Sequence, residues 1–288
     1  MAFRKRREAL RSILSGSACV RPGSVYDAIS IRIAEDLGFK LGMFGGSVAS
    51  LAVLGDPDIA LITLTEFAEQ MRRMSRAAAL PVLVDADHGY GNALNVRRTV
   101  QELDTAGAAG LTIEDTLLPQ AFGETKTQLI SLDEGVGKMK AALDGRGDPS
   151  LVIMARTGAA SITSLEDAIA RVKAYEATGV DALFLTGIKT RAELEAMAGV
   201  TKLPIVLGGA PEEMSDLAYL GGQRVRIALQ GHAPFAAATE AVYQTLKALR
   251  EGLPPKQLKG LASAELTGRL TREAEVKARS REFLGVRK

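Results

Sequence analysis

Short apolar runs alternate with longer amphipathic segments along most of the chain. Each run is four or five residues long and does not alternate between apolar and polar positions. This pattern is typical of parallel strands that are buried on both faces. A weaker run, Ala18 to Val20, would form the first strand. The seven clear runs cover residues 41–44, 81–84, 110–113, 151–155, 182–185, 203–207 and 225–229.

The segments between the runs have helical spacing. The first, Ser24 to Leu37, ends at Gly38, which suits a helix C-terminus. A strand and helix alternation repeated about eight times predicts an α/β fold, namely a (β/α)8 barrel of the TIM type. A doubly wound open sheet is the alternative. Further helices are predicted over 65–79, 93–106, 131–143 and 164–178, and two capping boxes by Ser131 with Glu134 and by Ser164 with Asp167.

The pattern changes after Gly252. A Leu-Pro-Pro stretch is followed by two short, mostly charged amphipathic segments that end at Phe283 and Leu284. Such a tail cannot supply another strand and helix unit. We therefore divide the chain into a barrel domain over 1–252 and a C-terminal helical extension over 253–288, which packs on its own barrel or on a partner subunit.

Charge and cysteine content exclude several classes of protein. Lys and Arg number 36 and Asp and Glu 34, and this net charge of +2 argues against a nucleic-acid binder. Cys19 is the single cysteine and there are two histidines, so neither an internal disulfide nor a Cys/His zinc site is expected. No apolar stretch approaches the roughly 20 residues of a membrane helix, and no apolar run follows the basic residues 4–7. We predict a cytoplasmic protein.

Polar residues follow five of the eight apolar runs directly. In a barrel these positions share the C-terminal rim of the strands, where barrel active sites form. The chemistry is therefore expected at one site. In chain order the rim residues are Ser47, Asp85, Asp87, Glu114, Asp115, Arg156 and His232.

The pair Asp85 and Asp87 predicts a cation site. Carboxylates two positions apart on an extended backbone point the same way and repel each other unless a cation lies between them. Mg2+ suits such a site because it retains water and binds few carboxylates, and Glu114 on the next strand would complete the acidic pocket. The alternative is that Asp85 or Asp87 caps the next helix or accepts hydrogen bonds from loop amides. Arg156 pairs with Glu114 or Asp115, binds a substrate carboxylate, or does both.

Four further features are candidates for a role at this site. Gly45-Gly46-Ser47 offers backbone N–H groups and a hydroxyl to an oxyanion, or is a plain turn. The segment from Ala49 to Leu61 is a long loop and a candidate lid, from which Asp58 reaches the site or stabilises a turn. His88 is expected to orient Asp87 or Glu114. His232 either caps the following helix or contacts a ligand at the rim.

These residues together resemble the phosphoenolpyruvate mutase/isocitrate lyase superfamily, from about Ser24 through the helix after His232. Within it the chain is most similar to the bacterial oxaloacetate decarboxylase branch, which shares the stretches at 45–50, 87–96, 114–119 and 231–233. The superfamily motifs are Gly-Gly-Ser at 45–47, Pro57-Asp58, Val-Asp-Ala-Asp-x-Gly-Tyr-Gly at 84–91, Ile113-Glu114-Asp115 and Ile153-Met154-Ala155-Arg156-Thr157.

The resemblance implies an α/β barrel, chemistry on a small α-keto acid, and dependence on Mg2+, with Mn2+ as an alternative cation. It also implies a homotetramer in which C-terminal helices are exchanged between subunits. By position, Asp85 corresponds to the metal-site carboxylate, while Asp87 and Glu114 hold metal-bound waters. The substrate contacts would be Ser47 with Gly46, Arg156 and His232, of which Arg156 and His232 are the catalytic candidates.

Several positions depart from the superfamily pattern. The lyases carry a cysteine in the loop that corresponds to residues 120–127, whereas Cys19 lies outside it, so isocitrate-type cleavage is not expected. The apolar segment 49–61 does not match the gating loop of the mutases. Gly158 replaces a polar residue of the relatives, and Leu207-Gly208-Gly209 lacks the polar residue common at the seventh strand end.

The leading hypothesis is Mg2+-dependent decarboxylation of oxaloacetate to pyruvate and CO2 through a metal-stabilised enolate. Arg156 would orient a carboxylate, and His232 would lie near the departing C4 group or supply a proton to C3. The alternatives are another enzyme of the superfamily that cleaves a C–C or P–C bond of an α-keto acid, a weakly catalytic protein that binds α-keto acids or oxalate, and a structural protein without a ligand.

Overall fold

The computed structural model describes residues 3–285, and within them eight parallel strands form one sheet in chain order. A doubly wound sheet places its strands out of chain order, so that alternative is wrong. The (β/α)8 prediction is confirmed. The strands are β1 Gly23–Ser24, β2 Gly42–Phe44, β3 Val82–Asp85, β4 Gly110–Glu114, β5 Val152–Thr157, β6 Ala182–Thr186, β7 Ile205–Gly208 and β8 Val225–Ala228.

Val20, near the start of the chain, pairs with the last strand, β8. Its N–H donates to the carbonyl of Arg226 at 2.9 Å, and its carbonyl accepts from the N–H of Ala228 at 3.0 Å. The bridge from Val20 to Ile227 is parallel, like the rest of the sheet. The two ends of the sheet are therefore brought together, and β1 comes to lie beside β8.

Helices follow the strands on the outside of this sheet. Their bounds are α1 Arg4–Ser15, α2 Ala28–Asp36, α3 Gly46–Ala49, α4 Leu64–Ala77, α5 Ala93–Ala106, α6 Leu132–Gly145, α7 Ala159–Ile162, α8 Leu165–Glu176, α9 Arg191–Gly199, α10 Leu217–Gly222, α11 Ala233–Arg250, α12 Ala264–Leu270 and α13 Glu273–Leu284. The prediction for α5 was correct at both ends.

The beginning of the barrel differs from the prediction. Ala18 to Val20 is not the first strand, because Val20 pairs with β8 and the ladder to β2 starts only at Gly23. Ser24 belongs to β1 and not to the following helix. That helix starts later because the Asp27 carboxylate accepts the N–H groups of Ile29 and Ser30 and so fixes the N-terminus of α2.

The predicted capping boxes are only half formed. Ser131 and Ser164 each accept the backbone N–H three residues later, from Glu134 and Asp167, but neither acidic side chain bonds back to the cap. Asp167 bonds instead to Thr163 and Arg171. Both serines therefore act as simple N-caps.

The apolar core has two parts. One lies between the strands and the surrounding helices, and the other fills the interior of the barrel. Helix α1 closes the N-terminal end of the barrel, where Leu10 is fully buried and Arg7 bonds to Asp104 at 2.7 Å and Asp148 at 2.9 Å. Because this end is closed, the opposite end is left for a site.

The C-terminal tail forms two short helices, as expected from its pattern. The first of them, α12, packs on α2 of the same chain: Arg32 donates to the carbonyl of Leu270, and Arg269 forms an ion pair with Asp36. The division into 1–252 and 253–288 stays a prediction. Within residues 3–285, no helix is long and apolar enough to cross a membrane, and the cytoplasmic location stays a prediction.

Candidate active site

A cavity of about 350 Å³ opens at the C-terminal ends of the strands. Six of the seven residues that the sequence predicts at the rim line this cavity, although they follow five different strands. The rest of the lining includes Asp58 from the candidate lid. The six are Ser47, Asp85, Asp87, Glu114, Arg156 and His232.

Asp85 ends β3 and its carboxylate is held from three directions. Thr112 Oγ1 on β4 donates to Oδ1 at 2.8 Å, and the backbone N–H of Asp87 donates to the same oxygen at 3.3 Å. The other oxygen, Oδ2, accepts from Arg156. Because β3 pairs with β4 in the register that places Asp85 opposite Thr112, the contact with Thr112 follows directly from the sheet.

Arg156 lies between two carboxylates. It pairs with Asp85 and, through Nη2, with Glu114 Oε2 at 3.0 Å, so the predicted pairing with Glu114 is observed and that with Asp115 is not. Its guanidinium also lies 5.2 Å from the ring centre of Phe184. Burial alone would lower the pKa of Arg156, but the surrounding carboxylates raise it above its usual value. Arg156 is therefore a fixed positive charge in this cavity.

Asp87 lies on a turn with unusual backbone geometry. Its φ is +46°, and three of the next four residues, Gly89, Tyr90 and Gly91, also have positive φ. A non-glycine residue in this region is strained and is kept there by surrounding contacts. The Asp87 carbonyl accepts the N–H of Glu114 at 2.8 Å. Gly46 provides the space for the carboxylate, since a Cβ at Gly46 would collide with it.

Among the described residues, the cavity holds more acidic groups than basic ones: Asp85, Asp87 and Glu114 surround the single guanidinium of Arg156. Burial raises the pKa of Asp87 well above the usual aspartate range, and Asp85 and Glu114 raise it further. Burial also raises the pKa of Glu114 to about 7, against the effect of Arg156. Three ionised carboxylates beside one guanidinium would leave two negative charges uncompensated, which is the charge that a divalent cation neutralises.

This donor set fits a Mg2+ ion that keeps part of its water. Within residues 3–285, no group of three or more His, Cys, Asp or Glu side chains is arranged to hold one metal ion directly. A site with Asp85, Asp87 and Glu114 all bound directly is therefore not observed. Mg2+ characteristically binds one or two carboxylates and retains several waters, so the same oxygens suit it through water.

His232 lies just before α11 and faces the cavity from the β8 side. Its side chain makes no capping bond, so the capping alternative is wrong. Nδ1 lies 2.8 Å from Ser24 Oγ. Burial lowers the pKa of His232, against the effect of Asp85 and Asp58. The lowered pKa favours the neutral form of the imidazole.

Two residues of the acidic block have other roles than predicted. Asp115 follows Glu114 and therefore points to the opposite side of the sheet, where it accepts from Arg171 at 3.1 Å and Tyr175 at 2.8 Å. The His88 ring packs beside Tyr90, with centroids 6.0 Å apart, and its Nδ1 has no hydrogen-bond partner within the described residues. His88 therefore does not orient Asp87 or Glu114 through a hydrogen bond of Nδ1.

The candidate lid is partly helical. Residues Ser50–Leu54 form a π-helical turn directly after α3, so the segment from Ala49 to Leu61 is not a loop throughout. Asp58 lines the cavity, which agrees with the first of its two interpretations. Burial raises the pKa of Asp58, and Asp85 raises it further. Asp58 is thus close enough to the acidic cluster to feel its charge.

The departures at β5 and β7 have a structural explanation. The space beyond Gly158 is occupied, because a Cβ there would lie 3.0 Å from Thr186 Oγ1 and 3.1 Å from Ile162. A Cβ at Gly208 would collide with the Phe184 ring. Thr186 also lines this side of the cavity, with its hydroxyl 3.5 Å from the carbonyl oxygen of Thr157. Sequence patterns missed Thr186 because it lies at the end of an apolar run.

Comparison with known proteins identifies the family. The phosphoenolpyruvate phosphomutase family model matches residues 10–250. The chain belongs to this family. This membership confirms the resemblance stated from the motifs.

Relatives of this family member match over the full length. A protein of Bradyrhizobium diazoefficiens named oxaloacetate decarboxylase is 82% identical, with all of both chains covered. A protein of Rhodopseudomonas palustris with the same name is 74% identical, again with all of both chains covered.

Solved structures of the superfamily have the same fold. Phosphonopyruvate hydrolase in complex with oxalate and Mg2+ has a TM-score of 0.85 at 27% identity, with 97% of this chain and 99% of that chain covered. Oxaloacetate acetylhydrolase with the inhibitor 3,3-difluorooxalacetate also has a TM-score of 0.85, at 25% identity, with 99% and 98% covered.

Proposed function

We propose that this chain is a carboxy-lyase that decarboxylates oxaloacetate to pyruvate and CO2 with Mg2+ as its cofactor. The observation that carries the proposal is the meeting of Asp85, Asp87, Glu114, Arg156 and His232 in one cavity of a chain that is 82% identical to a protein named oxaloacetate decarboxylase. Phosphonopyruvate hydrolase, which has the same fold, is complexed with oxalate and Mg2+, and this supports a divalent cation and a small carboxylate ligand for this chain.

Asp85 would bind the cation directly, while Asp87 and Glu114 would bind its waters. Asp85 suits this role because Thr112 and the Asp87 N–H hold its carboxylate in place. A bound Mg2+ supplies a Lewis acid that stabilises negative charge on the oxygens of the α-keto acid. Mn2+ is an alternative cation for the same oxygen ligands.

The remaining residues would bind and orient the substrate. Arg156 would bind a substrate carboxylate, and its Nε is buried without a partner within the described residues. Ser47 and the backbone at Gly46 would donate hydrogen bonds to oxygens on the opposite side of the cavity. During the reaction the C3–C4 bond breaks, its electron pair moves towards the C2 carbonyl, CO2 leaves, and C3 takes up a proton. His232 would face the departing C4 group or donate that proton.

The loop after β4 argues against lyase chemistry of the isocitrate type. Residues 120–127 contain no cysteine, and Cys19 is buried elsewhere in the fold. Burial also raises the pKa of the Cys19 thiol to about 11, so it is not a thiolate at neutral pH. Two alternatives are tested by the assay below: the protein cleaves another α-keto acid by a route that needs no loop cysteine, or it binds such acids without turnover.

The deciding experiment is an assay of pyruvate formation from oxaloacetate with Mg2+ and with excess EDTA. We expect turnover well above the background of free Mg2+ at the same concentration, and loss of that excess with EDTA. Mn2+ should restore activity to the EDTA-treated protein. The background control is necessary because oxaloacetate decarboxylates unaided. Saturable oxalate binding without pyruvate formation would support the binding protein and contradict the enzyme.

We further propose that the protein is a homotetramer in which C-terminal helices are exchanged between subunits. The supporting observation is α11, which has no buried residue along Ala233–Arg250 and exposes Val242, Tyr243, Leu246 and Leu249. A helix with an exposed apolar face marks an interaction surface. Sedimentation equilibrium should give four times the chain mass of 30.5 kDa. A monomer at micromolar concentration would contradict the proposal.

A further inference from the structure

Ser24 contacts the one imidazole that faces the cavity. Its Oγ lies 2.8 Å from His232 Nδ1, although the two residues are 208 positions apart in the chain. Ser24 ends β1 and His232 follows β8, so they meet because Val20 brings the first and last strands together. Ser24 itself does not line the cavity, whereas His232 does. Ser24 is thus placed behind the imidazole, on the side away from the substrate.

The contact with Ser24 decides which edge of the imidazole meets the cavity. Because Nδ1 bonds to Ser24, the Nε2 edge remains for a ligand. Gly45 makes room for this edge: a Cβ there would lie 2.9 Å from Nε2 and 3.0 Å from Cε1 of His232. The ring is therefore held between the Ser24 hydroxyl on one side and the backbone of Gly45 on the other.

Electrostatics select the direction of the hydrogen bond. A serine hydroxyl either donates or accepts, and a neutral imidazole has one N–H and one acceptor nitrogen. Asp85 and Asp58 act on His232 with negative charge from within the cavity lining. They favour an N–H on the Nε2 edge and disfavour a lone pair there. Nδ1 is then the acceptor, and the Ser24 hydroxyl is the donor.

We propose that Ser24 is a positioning residue that donates to Nδ1 and holds His232 in the tautomer with its hydrogen on Nε2, facing the substrate. In this tautomer the neutral His232 offers an N–H hydrogen-bond donor to the substrate without first becoming charged. The kinetic consequence rests on the proposed decarboxylation. The tautomer itself does not, because it is a property of the free protein.

The tautomer is measured by NMR on protein labelled with ¹⁵N-histidine, without Mg2+ or substrate. The chain has two histidines, so two sets of ring signals are expected, and the variant His232→Gln assigns them. At pH 8 both rings are neutral, because burial lowers the pKa of His88 to about 4 and that of His232 below its usual value. Long-range ¹H–¹⁵N correlations should show the Nε2–H form for His232.

Two substitutions separate positioning from folding. Ser24→Ala should shift His232 towards the Nδ1–H form and leave the His88 signals in place. Ser24→Thr keeps the hydroxyl on a strand residue and should restore the Nε2–H form. In the oxaloacetate assay, Ser24→Ala should lower kcat about 3- to 10-fold, the effect of one hydrogen bond, with KM little changed. Ser12→Ala, which removes an exposed hydroxyl on α1, is the control with wild-type kcat.

The outcomes are distinct. An Nδ1–H form of His232 in the wild-type protein would overturn the proposal, and so would a Ser24→Ala protein with unchanged tautomer and kcat. A kcat that falls equally in Ser24→Ala and Ser24→Thr would show that the strand, and not the hydroxyl, matters, which also overturns it. If the wild-type protein does not decarboxylate oxaloacetate, the proposed function fails, while the spectra still decide the role of Ser24.

Discussion

Replacing Asp85 by alanine is expected to abolish Mg2+-dependent turnover of oxaloacetate. Asp85 is the carboxylate that Thr112, the Asp87 N–H and Arg156 hold together, so its loss removes both the proposed cation ligand and one partner of Arg156. A loss of at least about 100-fold in kcat/KM is expected, because removing one preorganised electrostatic group at a reacting centre typically has an effect of this size. The assay is pyruvate formation at saturating Mg2+.

A second measurement on the same variant separates metal binding from catalysis. Mg2+ should raise the melting temperature of the wild-type protein, since a ligand that binds only the folded state stabilises it. Asp85→Ala and Asp85→Asn should lose this response. Asp133→Asn, which changes an exposed carboxylate at the start of α6, should keep both the response and the activity. Full activity of Asp85→Ala would contradict the assignment of the cation site.

The site residues at the strand ends could be predicted because all strands of a parallel barrel end at the same rim. Each apolar run marks a buried strand, and the polar residue that follows it must lie at the common rim. This reasoning placed Asp85, Glu114 and Arg156 in one cavity without any knowledge of distances. It could not distinguish Glu114 from Asp115, because only the direction of each side chain across β4 separates the cavity from the Arg171 and Tyr175 side.

Contacts between distant segments were beyond the sequence pattern. Helical spacing over residues 24–37 predicts that Ser24 belongs to a helix, whereas it ends β1 and the helix begins after its N-cap Asp27. Thr112 lies inside an apolar run and gives no polar signal until the register opposite Asp85 is known. Each of the two hydroxyls forms a hydrogen bond with a side chain that lines the cavity: Ser24 with His232, and Thr112 with Asp85. Such supporting positions depend on strand pairing, which local periodicity does not determine.

The charges of the site suggest how a bound cation would affect Arg156. In the free protein Arg156 contacts Asp85 and Glu114, so it partly neutralises the acidic cluster. Asp87 does not share these ion pairs, and its pKa is raised first by burial and then by the negative charge of Asp85 and Glu114. A divalent cation would neutralise that charge and reduce the demand on Arg156, which would then bind a substrate carboxylate with its free N–H donors.

Replacing His232 by glutamine is expected to lower kcat for oxaloacetate about 100-fold or more, the range typical of a lost donor or general acid. Nε2 of the imidazole lies beside Gly45, and in the proposed tautomer it carries a hydrogen at that fixed position. The amide of glutamine is on a more flexible side chain and does not hold a hydrogen at the same position. KM should change less than kcat, because the cation site and Arg156 remain.

The second histidine provides the matched control for this prediction. His88 precedes Gly89 in the turn that carries Asp87, yet its ring packs beside Tyr90 and its Nδ1 has no partner within the part of the chain that the structure describes. His88→Gln should therefore lower kcat far less than His232→Gln does, with any loss visible mainly in the melting temperature. Equal losses of kcat in the two variants would show that the imidazole of His232 has only a structural role, and an unchanged kcat in His232→Gln would exclude it from the reaction.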